Sequence, residues 1–314
     1  MTSVVVMAFG TAEANPDSAE RFLTEVIGRQ PTADHVADLM RRLTTVGGSP
    51  LGKITVQQAA GVADELDRRH GVGQINVCTA MRHGSPTTED ALSQIGDGEQ
   101  VLLLPLSPQE SADRQRYRAR VQAAATALGR TWSIDVVPPF GADPRFVALM
   151  ASRLRSALDA AGRDAHVIFT AHSLPQALPG SYEYCTEVTA TATSLAQACG
   201  LSEQRWSVAF QSVPRAARQP WLGPALDTVV ADVAQDSSAI VVAPVQFLSD
   251  HLESMYDIDV TAHAVAASRG CSLTRMAAPN ADPDLISLCA DLVDDRLAAT
   301  GAEHRPSTAA ARVR

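Results

Sequence analysis

The sequence predicts an α/β protein of two similar doubly wound domains, each a four-stranded parallel sheet flanked by helices. Eight short β-branched or aliphatic runs recur along the 314 residues. Several are apolar without alternation, as strands buried on both faces require. The stretches between them, such as DPRFVALMASRLRSALDAA, are long enough for amphipathic crossover helices.

Taken in order, SVVVMAF opens the chain as a continuous apolar strand, INVCTA follows a long helical stretch, and QVLLLPL repeats the unbroken pattern. SIDVV closes the first set. The second set runs HVIFTA, WSVAFQ, SAIVVAPVQF and SLTRMA. Four strands thus fall on each side of PPFGADPRF, whose Pro and Gly mark a joint, so a boundary is expected near residue 140. The expected organisation is residues 1–140 as one half, 141–280 as the other, a helix over 281–300 packing back on the first half, and a disordered tail over 301–314. That tail, ending EHRPSTAAARVR, shows no periodicity and a basic end.

Composition narrows the function classes. A formal charge of −9 lacks the basic footprint a phosphate backbone demands, and 4% aromatic content gives little stacking surface, so no nucleic acid partner is expected. MTSVVVMAFGTAE has no cationic leader and its apolar run is too short for a membrane span, so a cytoplasmic protein is expected. Cys78, Cys185, Cys199, Cys271 and Cys289 form no CxxC pair and read as buried free thiols. No GxGxxG follows the first strand and no GxxxxGK[ST] occurs, so no nucleotide cofactor is expected.

In open parallel sheets ligands bind beyond the carboxyl ends of the strands. Those ends read AFGT, TAMRHGSP, TAHSLP and FQS, and the seventh strand runs into PVQFLSDHLESMYDID. They gather His83, His172, Gln211, Ser212, His251 and Glu253 toward a cleft between the halves. Two readings of the acidic stretch stand side by side. Ser249 or Asp250 as N-cap with Glu253 behind it makes good helix capping, and a solvated acidic face has the same i, i+4 spacing as Glu253 and Asp257. Alternatively, carboxylate oxygen opposite the imidazole of His172 is a suitable shell for iron(II), cobalt(II) or zinc(II).

At these residues the chain resembles the ferrochelatase family, which inserts ferrous iron into a porphyrin. The resemblance runs through VVVMAFGT, VGGSPLGKITVQQA, AMRHGSPTTEDAL, FTAHSLP, AFQSVPRAARQPWLGP, PVQFLSDHLESMYDID and MAAPNADPDLI, in register over about 280 residues. It implies His172 as catalytic histidine, Glu253 as its partner carboxylate, and His172, Glu253 and Asp257 as the metal route. Substrate contacts are implied at Phe9, Arg29, His83, Tyr117, Gln211, Ser212, Trp221 and Gln246. Arg29 and Arg114 are candidate partners for propionates, with plain surface solvation favoured for Arg114.

Departures from the family pattern lie on the pocket side. The porphyrin loop reads SPQESADRQRY, keeping Tyr117 but adding Glu110 and Asp113, and GGSP is one residue shorter than the family motif. Gln246 replaces a usual glycine, Thr261 replaces an acidic residue, and Phe9 stands where some members have tyrosine. The cysteine pattern of cluster-bearing members is missing, so no iron–sulfur cluster is expected. The resemblance implies a monomeric chelatase without a membrane span, inserting Fe(II) as substrate into coproporphyrin III or protoporphyrin IX for haem biosynthesis. One alternative is a paralogue acting on another metal or a non-haem ligand, motivated by Gln246 and Glu110/Asp113. Another is a non-catalytic haem or metal binder.

Overall fold

The computed structural model describes residues 2–213 and 217–303. Strands β1 (Thr2–Ala8), β2 (Ile75–Met81), β3 (Gln100–Pro105) and β4 (Ser133–Val136) form one sheet in the order β2-β1-β3-β4. Strands β5 (His166–His172), β6 (Trp206–Gln211), β7 (Ala239–Pro244) and β8 (Ser272–Arg275) form a second, ordered β6-β5-β7-β8. Every pairing is parallel. All eight predicted runs are therefore strands, and the two sheets repeat one topology.

Burial on both faces explains the unbroken apolar runs. Val4 and Val6 of β1 join a central core with Val167 and Phe169 of β5 and Val241 and Ala243 of β7, so this core lies between the two sheets. Val5 and Met7, one residue out of phase, turn to the opposite side and pack with Leu103, Tyr117 and Val121. Ile168, Ile240 and Val242 do the same for the second sheet, against Leu226, Val230 and Ile258. Each fully buried Val or Ile contributes about 1.5–3 kcal/mol of transfer free energy, which a one-residue slip of register would forfeit.

Local sequence sets the helix ends. In α1 (Pro16–Ile27) the Asn15 side chain accepts from Ser18 N, Pro16 opens the first turn, and Gly28 closes the helix at φ 73°. Thr32 and Gly47 bracket α2 (Ala33–Val46) in the same way. Helix α3 (Leu51–His70) follows. Short α4 (Thr88–Leu92) and α5 (Ala112–Ala127) cover the outer face of the first sheet. The predicted crossover is α6 (Pro144–Ala161), capped by Asp143, and α7 (Ser181–Ala198) and α8 (Leu226–Val233) flank the second sheet. A π-helical segment, Ser254–Ala262, runs into α9 (His263–Ala267).

The last helix, α10 (Pro283–Glu303), extends through residues 301–303, which correct the expected start of a disordered tail; the rest of that tail lies outside the described residues. Arg69 of α3 binds Asp291 and Asp294, each at 2.8 Å, and Arg296 binds Asp135 of β4 at 2.7 Å. No helix among the described residues is long and apolar enough to cross a membrane. The five cysteines are free; Cys271 and Cys289 are buried, whereas Cys78, Cys185 and Cys199 are half-buried.

Candidate active site

Both sheets reverse winding direction beside their first strand, and side chains meet at the carboxyl ends there. His172 is the last residue of β5, and Glu253 follows β7 by a nine-residue excursion. Their side chains face each other, His172 Nε2 standing 3.5 Å from Glu253 Oε2. His251 Nε2 lies 3.9 Å from the same oxygen. The structure thus brings together residues eighty positions apart, as the strand-end argument predicts.

The His172 ring is oriented through its other nitrogen. Nδ1 meets the carbonyl oxygen of Ser173, an acceptor, so Nδ1 carries a proton, and Nε2 faces the Glu253 carboxylate, toward which it donates once it too is protonated. Ser173 is itself pinned: its N–H donates to Gln211 O at 2.8 Å and its hydroxyl to Leu222 O at 2.6 Å. Gln211 is accordingly buried, and Trp221 sits on the short bridge that pairs 174–176 with 220–222.

Burial opposes ionisation of Glu253, but the neighbouring His172 in its protonated form, with His251 and Arg42, outweighs it and holds the carboxyl down at about 2. Burial pushes the His251 imidazole down, against the pull of Glu253, and its ring packs on Phe247 with centroids 4.3 Å apart. Glu253 is therefore an anionic oxygen at neutral pH, with His251 beside it.

The chain before Glu253 is anchored by residues that motif reading passes over. Asn280, at φ 53°, a conformation asparagine tolerates, accepts from Asp250 N and donates to Asp250 Oδ2, both at 2.8 Å. Gln58 of α3 donates to Ser249 Oγ at 2.9 Å and to Asn280 O at 2.8 Å. Arg275 ties Asp250 to Asp259. Ser249 and Asp250 are thus interface anchors, not the helix N-cap: it is Ser254 Oγ that accepts from His251 N at 3.1 Å. The capping reading is corrected, because Asp250 is consumed by Arg275 and Asn280.

Asp257 is held by two side chains from other elements. One oxygen is bound by Arg42 of α2 and the other by the hydroxyl of Ser212, which stands at φ 66° after β6. Burial pushes the Asp257 carboxyl above its ordinary carboxylate range, against the opposing pull of Arg42. His172, Glu253 and Asp257 form no three-ligand metal cage among the described residues. The Arg42 guanidinium also lies 4.7 Å over the Tyr256 ring, docking α2 on the π-helical segment.

A second group gathers at the end of the first sheet. Gly10 has φ 96°, and a Cβ there would fall 1.8 Å from His83 O, so only glycine lets the two loops close. That approach sets the Phe9 ring 4.9 Å from the His83 ring, with Phe22 of α1 edge-on to both at 6.3 Å. Arg82 lies 5.3 Å over Phe9 and 5.9 Å over Tyr117. Phe22 also packs on the cluster of Leu39, Leu43 and Leu252, which links this wall to the residue before Glu253.

The remaining sequence-based candidates differ in burial and contacts. Tyr117 is 5% exposed and belongs to the outer core of the first sheet. Arg29 is exposed on the turn after α1. Arg114 is only 4% exposed, which overturns its reading as a solvated surface residue. Its guanidinium donates to Ser107 O at 2.6 Å and to Val137 O, holding the 107–111 loop, and Glu110 lies 3.7 Å away. Gln246 accepts at Oε1 from His172 N at 2.9 Å, turning toward the β5 backbone.

Fold and site together define an open α/β protein of paired parallel sheets, with an imidazole–carboxylate pair at the strand ends where a cation and a small molecule can meet. The family model for ferrochelatase matches residues 1–297, and the chain belongs to the ferrochelatase family. Coproporphyrin III ferrochelatase of Anoxybacillus flavithermus is 31% identical over 310 residues, covering 95% of this chain and 97% of the relative. The Bacillus subtilis protein of the same name is 31% identical over 306 residues, with 94% and 97% covered, and a ferrochelatase of Deinococcus radiodurans is 30% identical over 307, with 94% and 96% covered. Among solved structures, SirB from Bacillus subtilis with Fe3+ aligns at TM-score 0.57 and 13% identity, covering 96% of this chain and 97% of that one. CbiX, described as the terminal enzyme of siroheme biosynthesis in denitrifying bacteria, aligns at 0.51 and 16%, covering 94% and 99%. At such identities these two speak for the fold alone.

Proposed function

We propose that this chain is a metal chelatase that inserts Fe(II), its substrate metal, into a free-base porphyrin, with coproporphyrin III as the macrocycle. The observation that carries the reading is the His172–Glu253 pair, 3.5 Å apart at the crevice of the second sheet. The names of its relatives in Anoxybacillus and Bacillus support the choice of macrocycle.

Insertion exchanges Fe2+ for the two pyrrole protons of the ring, so the site must accept protons and release a cation from its solvent shell. His172 supplies the acceptor. Its Nδ1–H is spent on Ser173 O, its Nε2 lone pair is open toward the crevice, and the Glu253 carboxylate stabilises the imidazolium that forms. Protons leave one at a time, since the pair returns to its starting state after passing each to solvent. Glu253, ionised down to about 2, offers the cation a single anionic oxygen on its way to the ring. Asp257 acts one step back, fixing Arg42 and the strand-end Ser212. Phe9 and His83 supply the opposite wall for the macrocycle.

The paralogue reading loses part of its support, because Gln246 commits its oxygen to the backbone of His172. The binder reading has no use for a proton acceptor facing its carboxylate. The test is anaerobic incubation of the purified protein with Fe2+ and either coproporphyrin III or protoporphyrin IX, followed by absorbance and loss of free-base fluorescence. Turnover with coproporphyrin III is the expected result. The proposal fails if neither porphyrin gains metal while a Bacillus relative turns over in parallel.

A further inference from the structure

We propose that Gln246 is a positioning residue for His172, a part that no strand residue can play at this point of the sheet. The proposal rests on the chelatase reading above for its kinetic consequence, but its structural argument stands on the β5–β7 pairing alone.

The parallel ladder between β5 and β7 pairs Thr170 with Pro244, and Val245 N donates to Thr170 O at 2.9 Å. In a regular continuation the next N–H of β5, that of His172, would donate to Val245 O. That carbonyl instead accepts from the buried Gln109, whose Nε2 donates to it at 3.1 Å, and His172 N turns to another acceptor. The β5–β7 ladder ends one bond short, at the residue that carries the imidazole. Gln246 completes it with a side chain: Oε1 accepts from His172 N at 2.9 Å. Because an N–H can only donate, the atom facing it must be the amide oxygen, which fixes the orientation of the amide.

The same oxygen lies 2.8 Å from the hydroxyl of Tyr184 on α7, and that hydroxyl is 2.9 Å from His172 O. Tyr184 is fully buried in the central core, so its ring cannot drift. Backbone N and O of His172 are thus both held by one Gln–Tyr unit, while Ser173 is held from the other side by Gln211 and Leu222. Clamping both residues fixes where Ser173 O stands against Nδ1, and with it the direction of Nε2 toward Glu253. Such outer partners of a metal-handling histidine are worth about 10- to 100-fold in activity.

The experiment compares Gln246→Leu and Gln246→Glu with the full wild-type chain. Gln246→Leu removes the acceptor at similar size, whereas Gln246→Glu keeps an oxygen facing His172 N. The expected result is a kcat loss of about 10- to 100-fold in Gln246→Leu with KM for porphyrin within about two-fold, and recovery of most of that loss in Gln246→Glu. A second readout needs no turnover: 15N chemical shifts of the His172 ring in the unliganded protein report which nitrogen carries the proton. Wild type and Gln246→Glu should show one Nδ1–H tautomer, and Gln246→Leu a mixture. An unchanged single tautomer in Gln246→Leu overturns the proposal, whether or not the rate or the melting temperature falls. If wild-type protein lacks chelatase turnover, the function proposed above fails, and the tautomer comparison still decides the role of Gln246.

Discussion

Replacing Glu253 by glutamine keeps the shape of the side chain and removes its charge, so it isolates the electrostatic part of the His172–Glu253 pair. At the 3.5 Å separation, two unit charges attract by about 1 kcal/mol in bulk water and about 5 kcal/mol at an effective dielectric of 20. Both side chains retain about a third of their exposure, 29% for His172 and 33% for Glu253, so solvent screening places the working value in the lower part of that span. An attraction of about 1–3 kcal/mol, made when His172 takes a proton and absent before, corresponds to about 5- to 150-fold in rate. Glu253→Gln should therefore lower kcat by that factor at saturating porphyrin and Fe2+, read as metalloporphyrin absorbance under anaerobic conditions. A kcat within about two-fold of wild type, in a variant with an unchanged melting temperature, would refute the reasoning, because no charge-dependent step would then pass through this pair.

Other consequences follow from the surrounding contacts. Arg42→Ala leaves the buried Asp257 without its counter-ion and should cost about 3 kcal/mol of stability by denaturant titration, with most of it restored in the Arg42→Ala, Asp257→Asn double variant; additive losses would show that the two do not interact. Asn280→Ala removes the acceptor of Asp250 N and the partner of its carboxylate, and should destabilise by about 2–4 kcal/mol while lowering kcat, since the chain leading into Glu253 loses its anchor; a variant of wild-type stability would contradict this. The pH dependence of stability has opposite signs for the two acids. Glu253, depressed to about 2 from 4.5, contributes stability that is present above 4.5 and disappears as pH falls toward 2, whereas Asp257, raised from 3.8, gains stability on protonation as pH falls through its folded value. Urea midpoints from pH 7 to 3 for Glu253→Gln and Asp257→Asn should thus diverge from wild type in opposite directions, and parallel curves would rule out this assignment.

Apolar runs made the strands legible because burial on both faces leaves no room for polar alternation, and SVVVMAF and AIVVAP carry that signature without competing helical spacing. Strand ends are legible too: His172 closes β5 and Glu253 follows β7, so the topology alone brings imidazole and carboxylate to one crevice. What a side chain does after a strand ends was not legible. Gln246 and a residue lining a crevice look alike in sequence; only the contacts, Gln109 donating to Val245 O and His172 N donating to the Gln246 amide, show that the amide turns inward. Arg114 reads as a surface charge by type, yet two backbone carbonyls compensate its burial. Asp257 keeps the spacing of an acidic ladder from Glu253, but α2 brings Arg42 to it from 215 residues away, a pairing that no local pattern encodes. Asn280 was visible only inside a matched segment, its value as an anchor depending on a left-handed backbone.

The most direct test of the central claim is His172→Ala, assayed for both porphyrin binding and metal insertion. The account predicts a folded protein that still binds coproporphyrin III, seen as quenching of tryptophan fluorescence, while Fe2+ insertion falls by at least the about 10²-fold typical of a lost general base. Insertion at the wild-type rate in this variant would contradict it.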